Sequence, residues 1–355
     1  MLRPSPQINA RRLLVASATV VAALCATTLD ASGQEDGALL GSVERTAWLM
    51  GTRVVLTVDA ADRETALAAS EAALTAMERT EDLLTTWRDD SELSRLNRTA
   101  PGTLVHPTPA LAGLLAEVAR WSDATSQAFH PAVGALIDAW QLRGDGRVPD
   151  VAELRHALDA AGERGVAIDA TNGSVVRRSA AAWLDAGAWG KGAALREARL
   201  ALRESGATAA RIDLGGQVLL IGSDPSTLAV ADPVERGRPF ADLRLADVSV
   251  ATSGQTERGI EVDGERYGHL LDPRTGRPVP AWGSVTVVHT DPLAADVLAT
   301  ALFVLGPEDG LRRAAELDVA ALFVVSGAGG TTSRTTPALH SHSITLSTPS
   351  PRSPS

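Results

Sequence analysis

The sequence predicts an α+β fold with largely antiparallel sheets. Three observations carry this. The chain has 355 residues, 45% of them hydrophobic, enough to bury a substantial core. Helical patterns dominate its first half, whereas short strands crowd the second. Those strands lack the regular strand–helix alternation of a parallel sheet.

The elements follow in order. Trp48 to Val58 reads as a strand, because Val54, Leu56 and Val58 alternate with differently facing neighbours. Arg63 to Thr85 reads as a helix with Leu67, Leu74, Met77 and Leu84 on one side. Thr108 and Pro109 supply a polar cap and a first-turn proline, and Leu111, Leu114, Leu115 and Val118 follow at helical spacing. Ala132 to Trp140 and Val151 to Ala161 give two more helices around a turn-rich connector, Gly144 to Pro149. Strands at Val175–Val176, Ala181–Leu184, Ala209–Leu214 and Val218–Ile221 surround a helix from Ala193 to Ser205, which Gly206 ends. Ser249 to Thr252, Tyr267 to Leu271 and Val285 to His289 continue the strands; Pro292 to Leu305 is a helix and Ala320 to Val325 a last strand.

Both ends differ in character from the body at 34–326. Residues 1–33 read as an export signal: Arg11 and Arg12, then an apolar run from Leu13 to Thr27, then Ala31, Ser32 and Gly33. The paired arginines also fit a twin-arginine route. Cys25, the single cysteine, excludes an intramolecular disulfide and is a candidate lipid anchor, although Leu24 before it fits that role poorly. Export places the protein in the periplasm or on the outer face of the cytoplasmic membrane. From about Gly327 the chain turns Ser/Thr/Pro/Gly-rich, which predicts a disordered tail over 327–355.

A net charge of −10 argues against nucleic acid as a partner, since phosphate backbones need a basic surface. Lys191 is the only lysine, and it lies between Gly190 and Gly192. The segment Leu184 to Gly192 reads as a strand end, a small-residue turn and a helix start. Such a turn aims helix N–H groups at an anion, and Lys191 adds a point charge there. Asp213-Leu214-Gly215-Gly216 is a second small-residue turn, equally readable as a tight hairpin. Asp296 and Thr300 are four apart on one helix, so their oxygens share a face. A carboxylate plus a hydroxyl suits Mg2+. The same spacing also fits a surface Asp and a Thr bonded to its own helix. His269, ahead of an Asp-Pro turn, suits a general base near neutral pH or a side chain that shapes the turn.

In order, these segments resemble the FAD:protein FMN transferases, the ApbE-type flavin transferases. The resemblance runs from Met50 to about Val325. It rests on Met50-Gly51-Thr52, Thr86 to Asn97, Phe129-His130-Pro131-Ala132-Val133-Gly134, Leu184 to Gly192, Asp213 to Gly216, Ala251-Thr252-Ser253-Gly254, and His269-Leu270-Leu271-Asp272-Pro273-Arg274-Thr275-Gly276-Arg277-Pro278. Ser284 to Val287 and Ala295-Asp296 with Ala299-Thr300-Ala301 follow.

The resemblance implies two interleaved α+β subdomains with a flavin cleft between them. It implies FAD contacts at Met50, Trp87, Ala128, Phe129, His130, Asp185, Lys191 and Leu270. It implies Mg2+ held by Asp296, Thr300 and the carbonyl of Ala188; on that reading Asp296 and His269 are the candidate catalytic residues, His269 as acceptor of the attacking hydroxyl's proton. His130 stands where the family usually has Asp, and Trp189-Gly190 replaces the usual Ile-Ala. The implied reaction moves FMN from FAD to a Thr or Ser hydroxyl of an acceptor flavoprotein, a subunit of an extracytoplasmic or membrane redox complex, and releases AMP. An Mg2+-dependent FAD pyrophosphatase and a non-catalytic flavin-binding protein are the alternatives.

Overall fold

The computed structural model of the chain describes residues 41–255, 259–327 and 330–346. The export signal and Cys25 lie outside the described residues. The first expected strand is in fact a hairpin, β1 (Ser42–Leu49) and β2 (Thr52–Ala60). Its two-residue turn is Met50-Gly51, with φ of 52° and 70°. Two left-handed residues match the twist of a tight hairpin, and Gly supplies the second without strain. The alternation at Val54, Leu56 and Val58 was legible; a left-handed Met was not.

Helix α1 (Arg63–Leu84) starts at Asp62, whose side chain accepts the Thr65 N–H at 2.8 Å. Its Ala66, Ala69, Ala73 and Met77 pack on Val54, Leu56 and Val58 of the hairpin. The chain then leaves this sheet. α2 (Glu92–Asn97), β3 (Leu104–Val105), α3 (Pro109–Ala124), α4 (Gly134–Trp140), α5 (Val151–Asp159), α6 (Gly162–Gly165), β4 (Val166–Ile168) and β5 (Val175–Arg177) form a separate layer with a small sheet, β3-β5-β4. Leu93, Leu115, Phe129, Leu136, Trp140 and Leu184 make its core.

α7 (Gly190–Glu204) carries the chain back to β6 (Ala207–Leu214) and β7 (Gln217–Ile221). β8 (Ser226–Ala231), β9 (Pro239–Leu245), β10 (Ser249–Gly254), β11 (Gly259–Val262), β12 (Glu265–Gly268) and β13 (Gly283–His289) follow. α8 (Pro292–Glu316), β14 (Ala320–Gly327), β15 (Gly330–Thr335) and β16 (Ser343–Leu346) complete the fold. Eight strands form one sheet in the order β1-β2-β6-β7-β10-β13-β14-β15, every pairing antiparallel. Both parts of the chain contribute to it, so the two α+β layers are interleaved.

Alternation along the strands divides the core. Val285, Val287, Ala321 and Phe323 face α8, while Val288, Leu322 and Val324 face a second sheet, β16-β9-β8. α8 breaks at Gly306, with φ 83° and ψ 176°, just before Pro307. The stretch expected to be helical, Pro292 to Leu305, is therefore the part before the break.

Two expectations fail. Ala181–Leu184 is not a strand. Its backbone groups pair with side chains: Asn97 bonds the Leu184 N–H and C=O, each at 2.8 Å, and Arg177 donates to the Ala180 and Ala182 carbonyls. The run has strand-like composition but no strand partner. The tail is not structureless over 330–346 either. β15 pairs with β14 and β16 with β9. Leu339 is fully buried among the apolar residues between the two sheets. The Thr336 hydroxyl donates to Val319 O at 2.7 Å and accepts from Ala321 N at 2.9 Å. A few buried anchors outweigh the Ser/Thr-rich composition. Residues 347–355 lie outside the described residues.

Candidate active site

The Leu184–Gly192 turn does become a helix start, at Gly190. The first helical bond runs from Ala193 N to Trp189 O, at 3.0 Å. The Gly192 N–H, which would otherwise turn back to Ala188, donates to Asp296 Oδ2 at 2.9 Å. That leaves the Ala188 carbonyl without this helical partner. Lys191 Nζ stands 3.4 Å from Asp296 Oδ1. Asp296 is only 5% exposed, so its charge is met by an N–H and an ammonium rather than by water. Thr300 is half-buried, one turn further along α8.

This junction needs glycine. A Cβ on residue 192 would fall 2.5 Å from Pro292 O and 2.8 Å from Asp296 Cβ. Gln217 fixes the start of α8 from the other side, donating to Pro292 O at 2.9 Å. Arg196 adds a half-buried ionic link. It donates to Glu117 through both Nη atoms, at 2.7 Å each, and to Asp291, the N-cap of α8. Burial is the largest single influence on Asp291 and opposes its charge, but the Arg196 hydrogen bond and charge, together with the Leu293 N–H, outweigh it and hold the carboxyl below its ordinary pKa.

The oxygen set fits a hard cation. Asp296, the Ala188 carbonyl and Thr300 are oxygen donors, and a site with one carboxylate leaves room for phosphate oxygens. Among the described residues no cluster of three His, Cys, Asp or Glu is assembled.

The remaining implied contacts are spread over several elements. The Met50 methyl reaches Gly190: a Cβ there would meet Met50 Cε at 3.4 Å. Asp185 Oδ1 accepts the Gly187 N–H at 2.7 Å, and its other oxygen pairs with Arg143. Trp87 is 74% exposed, with the Arg143 guanidinium 4.6 Å from its ring centre. Ala128 and Phe129 are buried in packing, so only their backbone is left to meet a ligand. His130 is buried, and burial holds its pKa down, to about 4. The neutral ring accepts the Ala132 N–H on Nδ1 at 3.0 Å. An Asp here would accept the same bond two residues on, so His130 reproduces the local geometry without the charge.

Leu270 is half-buried against the apolar cluster that contains Ala128, Ala295 and Ala299. Gln255 holds it in strand fashion, accepting from Leu270 N at 3.0 Å and donating to Leu270 O at 2.8 Å. His269 precedes it and is half-buried. The stretch that follows is a built turn: Asp272 accepts from Arg274 N and Nε, each at 2.9 Å, and Trp140 donates to Gly276 O at 2.8 Å. Asp213–Gly216 is a hairpin turn between β6 and β7, with Gly215 and Gly216 left-handed.

Sequence reasoning missed Gln217, Gln255 and Arg143. Gln217 carried a signal, as the only polar residue of a strand otherwise Val-Leu-Leu-Ile. Arg143 carried none.

The pattern of the ApbE family matches residues 50–323. The chain belongs to the ApbE family. A relative from Klebsiella pneumoniae named FAD:protein FMN transferase is 36% identical over 293 residues, 78% of this chain and 87% of that protein. One of the same name from Treponema pallidum is 34% identical over 72% of this chain and 77% of its own. The apo crystal structure of the Pseudomonas stutzeri flavinyl transferase ApbE superposes with a TM-score of 0.74 at 26% identity, covering 84% of this chain and 96% of that one. An ApbE protein from Thermotoga maritima gives 0.76 at 28% identity, over 84% and 98%.

Proposed function

We propose that this ApbE-family chain is an Mg2+-dependent flavin transferase that moves the FMN half of FAD to a Thr or Ser hydroxyl of an acceptor flavoprotein. The observation that carries the reading is the α7–α8 junction. There a helix start, a lysine and a buried carboxylate converge, with Gly192 N–H 2.9 Å and Lys191 Nζ 3.4 Å from Asp296. A pyrophosphate needs this combination of N–H dipoles, cation and oxygen donors. Family membership supports the flavin as the group carried.

Asp296, the Ala188 carbonyl and Thr300 would hold the Mg2+, which when bound supplies charge neutralisation at the pyrophosphate oxygens. Lys191, already beside Asp296, is placed to meet the phosphate charge. The Met50 methyl closes the junction over Gly190. In the reaction the acceptor oxygen bonds to the FMN-side phosphorus and the bond from that phosphorus to the bridging oxygen breaks. AMP leaves with that oxygen and its electron pair. His269 is the proposed acceptor of the hydroxyl proton.

Location is part of the same proposal. The pattern of residues 1–33 supports export to the periplasm or the outer face of the cytoplasmic membrane, with Cys25 as a candidate lipid attachment point. Among the described residues no helix is long and apolar enough to cross a membrane.

The test is to incubate the protein with FAD, Mg2+ and a flavin-acceptor domain, then measure acceptor mass and AMP. An FMN adduct with equimolar AMP is expected. AMP and free FMN without an adduct would favour the pyrophosphatase; FAD left intact would overturn both enzymatic readings.

A further inference from the structure

The rim of the site holds an arginine that nothing above assigns. Arg143 follows α4, whose last turn gives way to a left-handed Gln141 with φ 50°. Its guanidinium lies between two indoles, 4.6 Å from the centre of Trp87 and 4.7 Å from that of Trp183. Its edge is used as well: Nη2 donates to Thr86 Oγ1 at 2.7 Å and pairs with the Asp185 carboxylate. Trp183 is itself fixed. Its Nε1 donates to Asp138 Oδ2 at 2.8 Å, and its ring fills the space where a Cβ on Gly134 would sit, 2.0 Å away. One side of the sandwich is therefore anchored to α4, while Trp87 on the other side is 74% exposed.

We propose that Arg143 is a positioning residue for FAD, holding the Trp87 indole as a fixed stacking platform beside the Leu184–Gly192 turn. This rests on the flavin reading of the site. The physical case is that an exposed tryptophan on a loop samples several rotamers, and each must be frozen when a ring stacks on it. A guanidinium has two flat faces for two indoles and in-plane N–H groups for Thr86 and Asp185; an ammonium has neither. Arg143 thus joins the loop bearing Trp87, the turn bearing Asp185 and the end of α4 in one fixed arrangement, before any ligand arrives.

The test is a double-mutant cycle on FAD affinity, read by flavin fluorescence without acceptor or turnover. Arg143→Ala and Trp87→Ala should each weaken binding, by about two- to fivefold, the scale of an exposed cation–π contact. The double variant should be no weaker than Trp87→Ala alone, because the arginine acts through the indole. Arg143→Lys, which keeps the charge and guards against a folding defect, should behave like Arg143→Ala. For Arg143→Ala the loss should fall more heavily on the KM for FAD than on kcat, as loss of uniform binding predicts. Additive losses in the double variant, or full rescue by lysine, would overturn the assignment while leaving the flavin reading intact. Failure of the wild type to bind FAD would overturn both.

Discussion

The Asp296 junction and the Asp272 turn make an instructive pair. In sequence, His269 to Pro278 is the richest run of distinctive residues, and Asp296 with Thr300 is only a spacing. In the structure much of the richer run is occupied with holding itself. Asp272 is bonded to Arg274 at 2.9 Å through both carboxylate oxygens, and Gly276, left-handed at φ 71°, sits against Leu154, Leu158 and Leu136. Asp296 instead faces a helix start and a lysine from another element. A long motif can be distinctive because a turn is hard to build. A sparse one can mark chemistry, because only one or two oxygens are needed.

The largest expected effect separates the two carboxylates by function. Asp296→Asn keeps the size of the side chain and an acceptor for Gly192 N–H, but removes the charge. Acceptor flavinylation should fall by about 10²–10³-fold, the scale of losing one electrostatic stabiliser. The melting temperature should stay within a few degrees. Turnover near the wild-type level would place the chemistry elsewhere.

The next effect uses pH and His130. Burial holds its pKa near 4, against an ordinary 6.5. The unfolded chain therefore takes up a proton between these values while the folded chain does not. Stability is full above about pH 6.5 and declines as pH falls toward 4, by about 3 kcal/mol at most. His130→Asn keeps an acceptor for the Ala132 N–H and should flatten that window. Urea titrations of both proteins at pH 7 and pH 4.5 measure it; equal slopes would mean the ring is protonated inside the fold.

The smallest effect belongs to the turn. Asp272→Ala removes the acceptor for Arg274 and should cost about 2 kcal/mol of stability, the range for hydrogen bonds to a charged group. Turnover per folded molecule should be nearly unchanged. A loss of activity as large as that of Asp296→Asn, in a protein still folded, would erase the contrast between the two regions.

Much of this was legible in the sequence, for a local reason. Helical periodicity places Asp296 and Thr300 on one face whatever surrounds them, and glycines at 190 and 192 announce a close approach. The α+β class followed from the crowding of strands. What stayed hidden depends on distant partners. Arg143 meets Asp185 across 42 residues. Asn97 completes the Leu184 backbone across 87. The tail looked structureless by composition because its order rests on Thr336 and Leu339, two anchors in a polar stretch.

Asp296 at the α7–α8 junction is the proposed metal ligand. Titrating Mn2+, as a paramagnetic stand-in for Mg2+, into the protein with FAD and following the free-ion resonance measures this. The wild type should remove about one ion per chain from solution. Asp296→Asn should bind none in the same range, and Thr300→Val should bind at least about tenfold more weakly. Equal binding by wild type and Asp296→Asn, both folded, would mean that the metal is held elsewhere.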